Sequence, residues 1–193
     1  MKFSSYSLDK ELVTSLNELG YYDLTEIQEK SLADLLKGKS MICKSATGSG
    51  KTHAYIVPLV SNLDPTFIGV QSLILVPTTE LAIQVYDFLY ALEKKYPKFK
   101  TVALTSIRDK KESLDKLKNS TLPSIIVATP GRVEDIFFAS KKSFSFKVNT
   151  IVFDEADMLF EDSYMESVLS IYNFFKPKQS LVFTATMKEH RIA

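Results

Sequence analysis

The stretch Ser40-Met41-Ile42-Cys43-Lys44-Ser45-Ala46-Thr47-Gly48-Ser49-Gly50-Lys51-Thr52 decides the fold. Residues 40–43 have the length and apolar content of a strand, and beyond the loop Tyr55, Ile56, Leu59 and Val60 recur with helical spacing. Strand, glycine-bearing loop and helix in that order make a cradle for phosphates. Phosphates carry concentrated negative charge, so backbone N–H groups of Ser45, Ala46, Thr47, Gly48, Ser49 and Gly50, facing inward at a positive helix end, can hold them. Gly48 and Gly50, two of only six glycines in the chain, let the backbone come close. Lys51 is expected to place its ammonium on β- and γ-phosphates, and the Thr52 hydroxyl to ligate Mg²⁺. The strict pattern has glycine where this chain has Ser45.

A second chemical element follows far along the chain. The apolar run Thr150-Ile151-Val152-Phe153 leads directly into Asp154-Glu155-Ala156-Asp157. A strand of this kind delivers carboxylates to the edge where open α/β sheets bind ligands. Asp154 is expected to hold Mg²⁺ through water opposite Thr52, and Glu155 to orient and deprotonate an attacking water. Alternation along an extended backbone would let the two acids serve different tasks. Taken alone, an acidic loop after a strand is usually solvated surface; the phosphate loop upstream gives these acids a ligand to act on.

Further strand-like runs fall at 72–76, 101–104, 124–128 and 180–183, separated by helical spacing at 52–63, 80–92, 111–117, 132–138 and 164–175. Two helices precede them. One covers 8–19, with Gly20 placed for a left-handed cap, and one starts at Thr25, whose spacing to Gln28 fits a capping box, and ends at Gly38. Strands alternating with helices of this size mean βαβ units, so the expected fold is an α/β three-layer sandwich with a mainly parallel central sheet. One domain is expected, made of a helical region at 1–38 and a core at 39–193. No internal repeat or linker divides it.

Composition narrows the function. With 24 Lys+Arg against 23 Asp+Glu the net charge is +1, and 24% charged with 45% hydrophobic residues excludes a disordered chain. No global positive field attracts phosphates at long range, so any nucleic-acid contact must be local. The single Cys43 cannot form an internal disulfide, no apolar run reaches the ~18 residues of a membrane span, and Met1 to Ser5 lack an apolar signal core. A cytoplasmic location without a membrane partner is the expectation.

Together, Ser45 to Thr52 and Asp154 to Asp157 resemble motifs of the DEAD-box ATP-dependent RNA helicases, whose name spells the second element. Gly20-Tyr21, Thr25, Ile27 and Gln28 resemble that family's adenine-reading Q motif, with Phe3 upstream where the family has an aromatic residue against the base. Pro77-Thr78-Thr79-Glu80-Leu81-Ala82, Thr129-Pro130-Gly131-Arg132 and Thr184-Ala185-Thr186 resemble its motifs Ia, Ib and III. These matches fall in family order over nearly the whole chain. The resemblance implies a RecA-like P-loop NTPase fold, with ATP/ADP and Mg²⁺ as cofactors and RNA as partner. It gives Gln28, Phe3 and Tyr21 to the base. It gives catalysis to Lys51, Asp154 and Glu155, RNA backbone contact to Pro77, Thr78, Thr129 and Arg132, and coupling to Thr184, Ala185 and Thr186. The chain departs from the family at Leu24, where proline is usual, at Thr79, where arginine is usual, and at Thr184, where serine is usual. Around Thr105-Ser106-Ile107-Arg108 it lacks the family's paired glycines.

The resemblance also implies a second, C-terminal RecA-like lobe that is missing after Ala193, with arginines for the γ-phosphate and half of the RNA groove. This chain is then expected to be the N-terminal lobe, monomeric, binding nucleotide but nearly inactive alone. Simpler roles compete at several positions: Gln28 as a helix cap, Phe3 as core packing, Thr129 to Arg132 as a strand-to-helix turn with proline in the first helical turn, and Lys94-Lys95, Lys110-Lys111 and Lys141-Lys142 as solvated faces. His53 and His190 suggest no metal site, and Cys43 reads as a small buried apolar residue. The rival functions are another P-loop motor lobe acting on DNA and a nucleotide-binding adaptor without turnover.

Overall fold

The computed structural model describes residues 1–44, 51–138 and 144–185. Ser45, Ala46, Thr47, Gly48, Ser49, Gly50 and Thr186 lie outside the described residues. In chain order the elements are α1 (Lys10–Glu18), α2 (Glu26–Leu36), β1 (Met41–Lys44), α3 (Lys51–Ser61), β2 (Val70–Leu75), α4 (Thr79–Lys95) and β3 (Lys100–Leu104), then α5 (Lys110–Asn119), β4 (Ser124–Ala128), α6 (Pro130–Val133), β5 (Phe146–Phe153), α7 (Ala156–Leu159), α8 (Asp162–Phe175) and β6 (Gln179–Thr184). The six strands form one sheet in the order β1-β6-β5-β2-β4-β3, and every neighbouring pair is parallel. All strands therefore deliver their C-terminal ends to the same edge.

Period-two alternation builds the three layers. On β2, Ile74 joins the core under α1 to α4, with Leu12, Leu16, Leu32, Leu35 and Leu89, while Leu73 and Leu75 join the opposite core with Leu117, Val133, Leu159 and Ile171. Both faces of the sheet are thus dry, as an all-parallel sheet requires. Helix caps match the sequence. Gly20 (φ +90) and Gly38 (φ +78) take the left-handed conformation beyond α1 and α2, and the Thr25–Gln28 capping box is formed.

Three features depart most from the sequence reading. Strand β5 begins at Phe146 rather than at residue 150, because Val148 is buried and Phe146 pairs with Val70; the intervening Lys147 and Asn149 hide that alternation. The helix expected at 132–138 is instead α6 followed by a π-helical turn, Glu134–Phe138. Val133, Ile136 and Phe137 share one buried cluster. Finally, the N-terminal segment is folded. Residues Phe3–Ser5 form a 3-10 turn, and the Leu24 N–H donates to the Met1 carbonyl at 2.8 Å. A proline at position 24 could not make that bond, which gives the Leu24 departure a physical role.

Candidate functional site

The parallel sheet brings the ends of β1, β5 and β6 together, and the side chains found there are the charged ones singled out above. Lys51 opens α3, and its Nζ lies 2.5 Å from Glu155 Oε1 and 3.7 Å from Asp154 Oδ1. Lys51 and Asp154 are both buried. A buried ammonium without partners would be strongly unfavourable, so the two acids neutralise it. Lys51 and the acids after β5 thus form a single concentration of charge at the ligand-binding edge of the sheet.

Asp154 is held on several sides. Its Oδ2 accepts the Tyr55 hydroxyl at 2.7 Å, and its Oδ1 accepts the Glu155 N–H at 2.9 Å. Burial pushes its carboxyl above the usual carboxylate range, against the opposing pull of Tyr55, Lys51 and the Glu155 N–H. Burial, with the Asp154 charge beside it, drives the Tyr55 phenol well above its ordinary value. Asp154, one of the residues expected to hold a cation, is therefore tied to the helix that opens at Lys51.

Glu155 corrects the expectation of extended alternation. Its backbone is left-handed, φ 53 and ψ 48, a conformation that costs a non-glycine residue about 1–2 kcal/mol. The strand ends at Phe153, and the Glu155 N–H turns back to Asp154 while Glu155 caps α7. The turn, rather than the pleat, separates the two acids and aims Glu155 at Lys51. Strain maintained at such a position marks functional ground.

The segment expected at a base lies against the start of α3. Gln28 is buried, and its Oε1 accepts the Thr25 N–H at 2.8 Å. Capping uses one lone pair of an amide oxygen that has two, so it does not exclude a base. The Tyr21 ring lies 4.2 Å from His53 and 5.3 Å from Phe88, and His53 lies edge-on to Phe88 at 4.1 Å. Burial lowers the His53 pKa to about 4. Phe3 does not present a face to a base in this arrangement. Its ring is 2% exposed in the core with Leu12 and Leu16, because the Phe3 N–H and Leu24 N–H tie the terminus to residues 22 and 1.

Residues expected at nucleic acid gather farther along the same edge, after β2, β3 and β4. Pro77 is buried, and Thr78 caps α4, its hydroxyl accepting the Leu81 N–H at 3.3 Å. Thr79 Oγ1 meets Ser106 Oγ at 3.4 Å. Thr129 accepts the Arg132 and Val133 N–H groups on its carbonyl. Arg132 Nη2 donates to the Arg108 carbonyl at 2.9 Å, with Asp135 at 3.9 Å, and the Arg108 guanidinium covers the Tyr86 ring at 4.8 Å. Arg132 is therefore pre-placed by one of its five N–H donors, leaving others for a phosphate. At the other end, Thr184 is buried and registers with Lys44 at the foot of the phosphate loop, followed by Ala185.

Sequence reasoning missed Tyr55, His53 and Arg108. Tyr55 had a signal, since three residues beyond Thr52 places it on the same helix face. His53 and Arg108 had none short of the fold.

The family described as DEAD/DEAH box helicase matches residues 25–193. The DEAD-box ATP-dependent RNA helicase CshB of Listeria monocytogenes is 36% identical over 190 residues, covering 97% of this chain and 43% of the relative. CshB of Bacillus subtilis is 35% identical with the same coverage. The chain thus spans less than half the length of these relatives. Among solved structures, a DEAD box protein from the hyperthermophile Methanococcus jannaschii superposes with a TM-score of 0.85 at 30% identity, over 98% of this chain and 51% of that one. The DEAD-box helicase Mss116, solved with ssRNA and UDP-BeF, gives 0.87 at 27% identity over 97% of this chain and 40% of its own.

Proposed function

The chain belongs to the DEAD/DEAH box helicase family, and on that premise we propose that it is an N-terminal RecA-like lobe that binds ATP or ADP with Mg²⁺ and, joined to a second lobe, couples ATP hydrolysis to local RNA unwinding or remodelling. The observation that carries this reading is the meeting of Lys51 with Glu155 and Asp154 at 2.5 and 3.7 Å, at the sheet edge where the phosphate loop begins.

The residues present fit a hard divalent cation. Thr52 offers a hydroxyl oxygen and Asp154 a carboxylate. Among the described residues no cluster of three or more His, Cys, Asp or Glu could form an all-protein cage. Mg²⁺ suits such a sparse set, because it keeps waters and takes phosphate oxygens as further ligands. Bound there, it would offset the negative charge that develops on the phosphoryl oxygens. In this reading Lys51 exchanges its carboxylate partners for phosphate oxygens when nucleotide enters. Glu155, released from Lys51, then orients a water and accepts its proton. Gln28 reads the base edge while still capping α2, and Tyr21 packs beside it. RNA backbone meets Thr78, Thr129 and Arg132, and Thr184 with Ala185 links that surface to the phosphate loop.

We assign the γ-phosphate arginines to the second lobe, as the family resemblance implies. An arginine of that kind is worth roughly 10³ to 10⁵ in rate, so these 193 residues bind nucleotide but turn it over slowly. The test is fluorescent ADP binding with Mg²⁺ by the parent chain and by Lys51→Ala. Saturable binding lost in the variant is the expected result, and equal binding by both would remove the assignment.

A further inference from the structure

The phenol of Tyr55 is fully buried, yet its hydrogen-bond partner is Asp154, a side chain assigned above to the cation. We propose that Tyr55 is a positioning residue for metal binding, its hydroxyl holding the Asp154 carboxylate with its free lone pairs aimed at the cation. This inference rests on the nucleotide and metal reading given above.

The direction of the hydrogen bonds carries the argument. An ionised carboxylate only accepts, so at 2.7 Å the Tyr55 proton goes to Asp154 Oδ2. Asp154 is fixed at both oxygens, by Tyr55 on Oδ2 and by the Glu155 N–H at 2.9 Å on Oδ1, so its carboxylate plane cannot rotate freely. Groups that orient a ligand in this way are a large part of how proteins tune metal affinity.

Two further observations separate positioning from packing. The ring itself is held by Phe183 of β6, edge-on at 5.2 Å, and phenylalanine would fill the same space. A buried phenol needs a hydrogen-bond partner, and the one that takes its proton here, Asp154, belongs to the cation site. The contact also joins α3 to the strand that ends in Thr184, so the geometry of the cation pair is set by the core rather than by the loop alone.

The test uses Mn²⁺ as the probe on the ADP-saturated chain, with free Mn²⁺ read by electron paramagnetic resonance, in the parent, in Tyr55→Phe and in Phe183→Leu. Tyr55→Phe should weaken Mn²⁺ binding about tenfold or more, while its affinity for fluorescent ADP in EDTA stays within about twofold of the parent, because the phosphate loop is untouched. Phe183→Leu keeps the hydroxyl and should lower the melting temperature without changing Mn²⁺ affinity. Unchanged Mn²⁺ binding in Tyr55→Phe, or equal weakening in both variants, would overturn the positioning role while leaving nucleotide binding in place. A parent chain that binds no ADP would instead remove the underlying reading and this role with it. Should Tyr55→Phe fail to fold, Cζ-labelled tyrosine in the parent reads the same bond. One buried resonance among the nine tyrosines should shift when Mg²⁺ joins the ADP complex, and no shift would overturn the proposal.

Discussion

Replacing Lys51 by methionine keeps the aliphatic length and deletes the charge, leaving buried Asp154 without its cation. Across 3.7 Å the attraction at an effective dielectric of about 20 is about 4 kcal/mol. Part of this is offset, because the ammonium no longer has to leave water on folding. Glu155, whose side chain is 25% exposed, can also relax toward solvent and contributes little. A net loss of about 2 kcal/mol follows for the ligand-free chain at pH 7, or about 4–8 °C in melting temperature for a domain of this size. Burial already raises the Asp154 pKa, and Lys51 pulls it down. A carboxyl with a raised folded pKa contributes stability in acid that is lost as pH rises through that pKa. Removing Lys51 raises the pKa further, so the deficit of Lys51→Met should open as pH rises and close as Asp154 protonates. Thermal melts by circular dichroism from pH 4 to 8 measure this. Equal melting temperatures at pH 7, or a deficit that grows toward acid, would refute the buried ion cluster.

Further outcomes follow from single features of the fold. Gly20→Ala forces a β-carbon into φ +90 with open space around it, so it should lose about 1 kcal/mol in urea unfolding through backbone strain alone; an unchanged midpoint would contradict the cap. His53, lowered from 6.5 to about 4 by burial, contributes stability that is present above 6.5 and lost as pH falls toward 4. Its replacement by phenylalanine should flatten that part of the stability profile, and an unaltered slope would count against a buried neutral imidazole. Arg132→Ala should weaken binding of single-stranded RNA, measured by fluorescence anisotropy, while leaving ADP affinity nearly unchanged. Equal loss of both would contradict the separation of the two surfaces.

The residues that sequence places well are those whose chemistry is set by neighbours in the chain. The Gly20 cap, the Thr25–Gln28 box and the strand-to-helix step into Lys51 depend on local backbone geometry, and each is legible in a few letters. The opposition of Lys51 to Asp154 is legible only as an inference from the parallel sheet, since hydrogen-bonded strands must place β1 and β5 ends on one edge. Other features depend on packing between distant segments. Phe3 as a core residue follows from hydrogen bonds between residues 1–3 and 22–24, and nothing in the α-helical spacing of Val133, Ile136 and Phe137 announces the π turn at Glu134–Phe138. The left-handed Glu155 is a choice between helix and strand made by the turn into α7, and no propensity in Asp-Glu-Ala-Asp announces it. Thr79, where the resemblance led to an arginine, reaches only Ser106, so this surface relies on Arg132 and the Arg108 backbone for its order.

The most direct measurement is a crystal structure of this chain with ADP and Mg²⁺. Lys51 Nζ should leave Glu155 and lie about 3 Å from a β-phosphate oxygen, with Thr52 and Asp154 on the metal side of the same phosphates. ADP bound away from α3, or a Lys51 that keeps its contact with Glu155 while nucleotide occupies the site, would contradict the account.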